Sequence, residues 1–350
     1  MSKGRVLMAM SGGIDSSVAA MLLLEQGYEL VGVTFRTFDS IKPSCLAREK
    51  GCCSVESIME ARHLAAQLGF EHHIVDFRDI FRQHVISDFV NEYRHGRTPN
   101  PCVLCNSHIK WGVLLKEADR YGCDYIATGH YARIGEYNGH TCLKKAADTN
   151  KDQTYFLWML TEENLSRTLF PLGSLTKPEV REIARQRGFE QLSRKTESQE
   201  ICFIPDNDYR TFLQQEGVEI KDGIFQDKDG KEVGRHTGYT NFTIGQRKGL
   251  GIALGYPAFV TQIDAENNIV SLGKHDDLYQ TDVHLGRHFY FRGKEDTPVM
   301  AQIRYRSRPT EAMLNNHTLR FSEPVWAVAA GQSAIMYQDD YLVGGGIIEK

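Results

Sequence analysis

The chain lacks any apolar run long enough to cross a bilayer. Its longest, Val18 to Leu24, falls far short of the roughly 20 residues a helical span needs. No secretory leader is expected either: Met1-Ser2-Lys3-Gly4 runs straight into a strand pattern, with no apolar h-region. A cytoplasmic protein with no membrane association is the expectation. Strong charge is also missing. A net charge of −4 excludes bulk attraction to a polyanion, although a local basic face remains open. There is no internal repeat and no low-complexity stretch. What is present is an ordinary globular composition, 41% hydrophobic and 25% charged over 350 residues, enough for two or three domains. The eight cysteines in such a compartment read as thiols, metal ligands or catalytic groups, not as a disulfide framework.

The sequence Ala9-Met10-Ser11-Gly12-Gly13-Ile14-Asp15-Ser16-Ser17 follows the apolar run Val6-Leu7-Met8 and precedes Val18 to Leu24. That order spells strand, tight turn, helix start. Paired glycines let backbone N–H groups close on an anion without Cβ obstruction. The helix N-terminus adds free N–H groups and its positive dipole end. The Gly-Lys-Ser/Thr ending of a kinase or GTPase loop is absent, which argues against γ-phosphate chemistry. Ser11-Gly12-Gly13-Ile14-Asp15-Ser16 resembles the PP-loop of ATP pyrophosphatases, which cleave ATP between the α- and β-phosphates and adenylate a carbonyl oxygen. The simpler reading is a Ser/Asp-capped helix after a glycine turn.

Organisation follows from alternation. Strand patterns at Val6-Leu7-Met8, Tyr28 to Phe35, Ile74 to Asp76 and Tyr125 to Thr128 alternate with helical spacing over Ser54 to Leu68, Asp79 to Tyr93 and Ile109 to Tyr121. Such alternation predicts an α/β fold, a parallel sheet with helices on both faces. Ligand then sits at the carboxyl ends of the strands, where the Ser11 loop, Phe35 and Gly129-His130 fall. Beyond Asn207 the pattern turns to short strands and hairpin signals at Asp222-Gly223, Asp229-Gly230 and Glu266-Asn267-Asn268. The expected division is a nucleotide-binding and catalytic domain over 1–207, a small β-rich domain over 208–281, and a C-terminal β-barrel over 282–350.

Cys102-Val103-Leu104-Cys105 follows the helix-breaking Pro99-Asn100-Pro101 and opens a new helical stretch. A thiol there is expected to feel the helix N-terminus, which lowers its pKa. A C-x-x-C alone fits zinc, redox chemistry or chance. Beside an adenylation loop and the distant Cys202 it gains a chemical purpose. An adenylated carbonyl needs a nucleophile, and a persulfide on one cysteine, released by a second, supplies one. Cys123 and Cys142 read as packing residues. Cys45, Cys52 and Cys53 form a further cluster without the partners of a complete zinc site.

Together these residues resemble the tRNA-uridine 2-sulfurtransferases, the tRNA-specific 2-thiouridylases. The matching stretches run nearly end to end: the Ser11 loop, Gly96-Arg97-Thr98-Pro99-Asn100-Pro101, Cys105-Asn106, Ala127 to Tyr131, Lys151 to Leu157, Glu200 to Ile204, Thr243 to Gly251, Arg304-Tyr305-Arg306, Gly331 to Ala334 and Gly344 to Glu349. The resemblance implies ATP and Mg²⁺ at Ala9, Met10, Ser11, Gly12, Gly13, Ile14, Asp15, Ser16, Phe35 and Gly129. It implies a nucleophile at Cys105 and a persulfide carrier at Cys202. It places the target base at Asn100, Pro101 and Cys102, and tRNA at Lys151, Asp152, Gln153, Arg304 and Tyr305. A sulfur-relay protein or cysteine desulfurase is the implied sulfur source.

One position departs. The family's loop carries Asp where this chain has Cys102. A thiol can stand in as acid or base if its pKa is lowered. Alternatively Cys102, Cys105 and Cys202 hold an iron–sulfur cluster with one open iron.

The RNA side needs cations, because a wobble uridine must be splayed out of an anticodon loop to expose its carbonyl. Candidate grips are Arg94, Arg97, Arg181, Arg185, Arg187, Arg194, Lys195, Arg247, Lys248 and the set Arg304, Arg306 and Arg308. This last set is expected to alternate along a strand and share one face. Rival readings are a PP-loop ligase acting on a small molecule, and an RNA-binding protein without chemistry.

Overall fold

The computed structural model describes residues 2–38, 55–195, 201–204, 207–294 and 296–349. Cys45, Cys52, Cys53 and Glu200 lie outside them. The chain divides into two compact units: 1–85, 102–207 and 340–342 in the first, 86–101, 208–339 and 343–350 in the second.

The first unit is built on five parallel strands: β1 (Arg5–Ala9), β2 (Glu29–Arg36), β3 (Glu71–Asp76), β4 (Tyr125–Ala127) and, after the antiparallel hairpin β5 (Arg133–Tyr137) and β6 (His140–Lys144), β7 (Thr168–Leu169). Their order is β3-β2-β1-β4-β7. Val6, Leu7 and Met8 have no exposed surface, as a central parallel strand covered on both faces requires. Helix α1 (Ile14–Glu25) buries Ile14, Ser16, Ser17, Val18, Ala19, Ala20, Met21 and Leu23. Its apolar run is therefore a core helix, packed with Ala61, Leu64 and Ala65 of α2 (Val55–Leu68). Strand order reverses direction beside β1, between β2 and β4. That is the topological switch point at which open α/β sheets bind ligands.

Two helical stretches differ from the expected spacing. The Asp79 to Tyr93 region contains a π-helical turn at Arg82–Ile86 between α-helices Arg78–Phe81 and Ser87–Arg94. The helix expected from Ile109 starts earlier, at Pro101–Leu104, and widens into a π-helix over Cys105–Trp111. Proline suits a first helical position because its missing N–H has no intrahelical partner. A 3.6-residue pattern cannot register a wider turn, and such turns concentrate at functional sites.

In the second unit, β8 (Gly223–Gln226), β9 (Glu232–His236), β10 (Phe259–Asp264) and β11 (Ile269–Gly273) form a sheet in the order β10-β11-β8-β9. Phe225, Val260, Val270 and Leu272 form its core. The Asp229-Gly230 and Glu266 to Asn268 turns join consecutive strands as expected, whereas Gly223 lies inside β8.

The last segment comprises β12 (Tyr279–His284), β13 (Tyr290–Phe291), β14 (Val299–Gln302), β15 (Thr310–Asn315), β16 (Thr318–Trp326), β17 (Ser333–Gln338) and β18 (Tyr341–Ile347). Its strands follow the order β12-β16-β15-β14-β17-β18. A bridge from Leu285 to Ile348 links the chain just after β12 to the chain just after β18, so the two ends of this run of strands meet.

One sequence expectation is corrected here. β14 stops at Gln302, and Arg304 to Ser307 form a turn closed by Ser307 N donating to Arg304 O at 3.1 Å. Arg306 adopts φ 62°. Arg304, Arg306 and Arg308 therefore do not alternate along a strand.

Candidate active site

The loop after β1 is shaped for an anion. Gly12 has φ +69°, and a Cβ there would strike the Ser57 carbonyl; no side chain fits either restraint. The hydroxyls of Ser16 and Ser17 donate to Gly13 O at 3.1 and 2.9 Å. Ser11 N donates to Ser16 Oγ at 3.2 Å. The turn is thus held by its own side chains before any ligand arrives. Gly129, at the end of β4, would place a Cβ 2.6 Å from Ser16 N and 2.7 Å from the Asp15 carbonyl carbon. Glycine is what lets the β4 loop lie against the helix start. Phe35, half-buried at the end of β2, packs against Phe77 at 5.3 Å.

Asp15 gathers two residues that sequence reasoning missed as site residues. Lys177 Nζ donates to Asp15 Oδ1 and Oδ2 at 2.7 and 2.8 Å, and Tyr131 Oη donates to Oδ1 at 2.7 Å. The Lys177 side chain is only 8% exposed. Lys177 opens helix Lys177–Gln186, whose start is fixed by Thr176 N and Oγ1 donating to Glu179. The capping box Thr-x-x-Glu marks this start in the sequence, but nothing local announces its pairing with Asp15.

Lys151-Asp152-Gln153 is tied into the same unit. Asp152 accepts from Ala146 N at 2.7 Å and from the Thr154 hydroxyl. Burial pushes its carboxyl above the usual range despite these bonds. Gln153 Oε1 accepts from Tyr131 N at 2.9 Å. Gln153 therefore braces the Gly129-His130-Tyr131 loop that touches the Ser16 turn, whereas Asp152 ties the start of this segment to Ala146.

Cys102 is exposed, Cys105 partly exposed and Cys202 exposed. Asn106, buried next to Cys105, donates to Phe156 O at 2.9 Å and anchors the helix. Cys202 is flanked by buried Phe203 and Ile204. Phe203 packs against Phe81 at 5.7 Å and Phe38 at 6.4 Å, so the anchors hold the thiol at the surface. From the same π-helix, Lys110 donates to His130 Nε2 at 3.3 Å. Thr128 Oγ1 and His130 Nδ1 are 2.8 Å apart. Burial, helped by Lys110, pulls His130 well below its ordinary pKa, and the neutral ring accepts from the ammonium.

The expected acidic shift at Cys102 is not found. Crowding around the sulfur raises its thiol pKa, and the Lys110 charge offsets this only in part. Among the described residues no three Cys, His, Asp or Glu side chains stand together as a metal site. An iron–sulfur set of Cys102, Cys105 and Cys202 is therefore not assembled, and no step is routed through a cluster. Cys123 and Cys142 are buried, in keeping with packing roles.

Asn100, Pro101, Arg304 and Tyr305 belong to the second unit. There the segment before Pro101 is bolted down. Glu92, almost wholly buried, receives Arg97 at 2.8 and 2.6 Å and Arg287 at 2.8 Å. Thr98 and Thr243 hydroxyls meet at 2.6 Å, and Gln332 Nε2 donates to Thr98 O at 2.8 Å. Arg97 is thus a structural cation rather than an outward grip. Several other candidate grips are likewise engaged: Arg304 with Ile244 O at 3.0 Å, Arg94 with Gly217 O at 3.3 Å, Arg187 with Glu25, Arg181 with Ser193 O, and Lys195 with Glu60 and Gly12 O. Arg247, Lys248, Arg306 and Arg308 are exposed.

Comparison with known proteins supplies an independent finding. Three family models match in succession: a tRNA methyl transferase HUP domain over 4–206, a tRNA methyl transferase PRC-barrel domain over 210–274, and an aminomethyltransferase β-barrel domain over 277–348. Relatives named tRNA-specific 2-thiouridylase MnmA match over nearly full length. The one from Amoebophilus asiaticus is 51% identical, covering 100% of this chain and 96% of the relative. That from Cytophaga hutchinsonii is 48% identical over 99% and 98%, and that from Salinibacter ruber 45% identical over 99% and 95%.

Proposed function

From the premise that this chain belongs to the family of tRNA-specific 2-thiouridylases, we propose that it converts the wobble uridine of tRNA to 2-thiouridine, using ATP and sulfur carried on a cysteine. The observation that carries the reading is the pairing, in one unit, of a preformed anion turn at Ser11 to Ser17 with two accessible cysteines, Cys105 and Cys202.

ATP phosphates enter the Gly12-Gly13 turn, where backbone N–H groups and the α1 dipole face them. Lys177 supplies a cation next to the turn, oriented by Asp15. The uridine 2-carbonyl oxygen attacks the α-phosphorus and pyrophosphate leaves. Fixed positive groups at that phosphate stabilise the charge that develops. Both Asp15 oxygens already face Lys177, a poor fit for Mg²⁺ ligation, so the metal is assigned to the nucleotide phosphates and no step is derived from it.

Sulfur then moves. Cys202 carries a persulfide, and Cys105 thiolate attacks its inner sulfur. Hydrosulfide leaves as a Cys105–Cys202 disulfide forms. Hydrosulfide adds to C2 of the adenylated uridine and AMP departs. A sulfur-relay protein or cysteine desulfurase reloads Cys202. Residues 1–207 are the catalytic part of this scheme, and 208–281 and 282–350 its tRNA-holding parts. Asn100, Pro101 and Cys102 are assigned to the target base, and Lys151, Arg304 and Tyr305 to the surrounding RNA.

The test is pyrophosphate release. Adding substrate tRNA to enzyme and ATP should release pyrophosphate, and Asp15→Ala should lose it by about 100-fold or more, since Lys177 loses its partner. Release independent of tRNA, in favour of a small-molecule ligase, would overturn the reading. So would an unimpaired Asp15→Ala enzyme.

A further inference from the structure

We propose that Cys102 is a resolving cysteine, which attacks the spent Cys105–Cys202 disulfide at Cys105 and returns Cys202 to the thiolate for the next sulfur. The inference rests on the persulfide reading above, and the electron balance of that scheme requires a disulfide to be reopened in every turnover. A persulfide's terminal sulfur leaves as hydrosulfide only if two electrons are supplied. In the scheme above Cys105 and Cys202 supply them and end as a disulfide. That disulfide blocks reloading until it is opened.

Geometry places a third thiol one helical turn from Cys105. Cys102 and Cys105 are three residues apart, Cys102 within the helix Pro101–Leu104 and Cys105 at the start of its π-helical continuation. Helical pitch sets their Cα atoms about 5 Å apart on one face. A disulfide accepts about 4.4–6.8 Å. The exchange balances: the Cys102 sulfur bonds to the Cys105 sulfur, the Cys105–Cys202 bond breaks, and its electron pair leaves with Cys202. A dithiol reductant from solution then opens Cys102–Cys105, becoming a disulfide itself as both cysteines regain their protons. Cys102 is an exposed residue, although its sulfur is crowded.

The other roles open to Cys102 are weaker. A thiol raised by crowding is a poor general base near neutral pH, and no metal-binding group is assembled around it among the described residues. Thiolate is nevertheless needed for exchange. The Lys110 ammonium favours it.

The experiment uses the full-length reduced protein, without ATP or tRNA. Wild type, Cys102→Ser and Cys102→Ala are each treated with one equivalent of diamide, digested without reduction, and mapped by mass spectrometry. Wild type should collect the disulfide within the peptide that holds Cys102 and Cys105. Both variants should instead link Cys105 to Cys202, and dithiothreitol should free Cys202 at least roughly tenfold more slowly than in wild type. A Cys105–Cys202 link dominating in wild type overturns the proposal. So does failure of either variant to form that link, or equal recovery rates. Normal thiolation beside such a result would sink this inference alone. The expected disulfide transfer in a protein that cannot thiolate tRNA would sink the function instead.

Discussion

Lys177 is the residue on which the proposed nucleotide site turns. Its ammonium is 2.7 Å from Asp15 and nearly buried, and a buried cation is tolerated only when paired. Asp15 therefore holds Lys177 in place, whatever part it takes in the proposed nucleotide site. Replacing Lys177 by Met should cut tRNA-stimulated pyrophosphate release by about 100-fold or more at saturating ATP, as for loss of one charged donor at a reacting phosphate. Tyr131→Phe removes a hydrogen bond but no charge and should cost about tenfold at most. A Lys177→Met enzyme within a factor of two of wild type would remove this lysine from the chemistry. The glycine turn was legible because strand, Gly-Gly and helix start are consecutive. The lysine was not, because it lies 162 positions from Asp15 and no periodicity connects them.

At the scale of the element, the loop Gly96 to Pro101 owes its position to a buried carboxylate. Burial alone would raise the Glu92 pKa, but the Arg97 hydrogen bonds and the Arg287 charge outweigh it and hold it below the usual range. A depressed carboxyl stabilises the fold fully above its unfolded pKa, about 4.3 for Glu. That contribution is lost as pH falls through the lower folded value. Neighbouring Asp88 acts with opposite sign, since burial and the Glu92 charge push it up. Glu92→Gln should destabilise the protein by about 2–3 kcal/mol at pH 7, less than a fully buried pair because both arginines keep some solvent access. Urea unfolding at pH 7 and pH 4 checks this: the difference between wild type and variant should shrink at the lower pH. An equal difference at both would refute the ion-pair account.

The same scale explains the misread arginines. Alternation is informative only where a strand exists, and β14 ends before Arg304. The π-helical turns were invisible for a related reason, since apolar spacing records which face is buried but not the pitch of each turn. The Cys102-x-x-Cys105 spacing, by contrast, was readable from sequence. What could not be read was that crowding would raise the Cys102 thiol.

For the whole molecule, the alternating first half and the strand-only second half were legible, because burial on both faces, burial on one face and tight turns each leave local signatures. The parallel order β3-β2-β1-β4-β7 follows the strands that were read, save β7, whose two residues are too few to show a pattern. Interleaving was not legible: residues 86–101 belong with the second unit although first-unit residues stand on both sides. Contacts of that kind depend on partners such as Thr243 and Gln332, far away in sequence.

The central claim is that this chain makes 2-thiouridine at the wobble position with Cys105 and Cys202. Mass spectrometry of nucleosides from tRNA of a strain lacking the gene tests it most directly. The account predicts loss of wobble 2-thiouridine, its return with the wild-type gene, and no return with Cys105→Ala or Cys202→Ala. An undiminished 2-thiouridine level in the deletion strain, or full restoration by either cysteine variant, would contradict it.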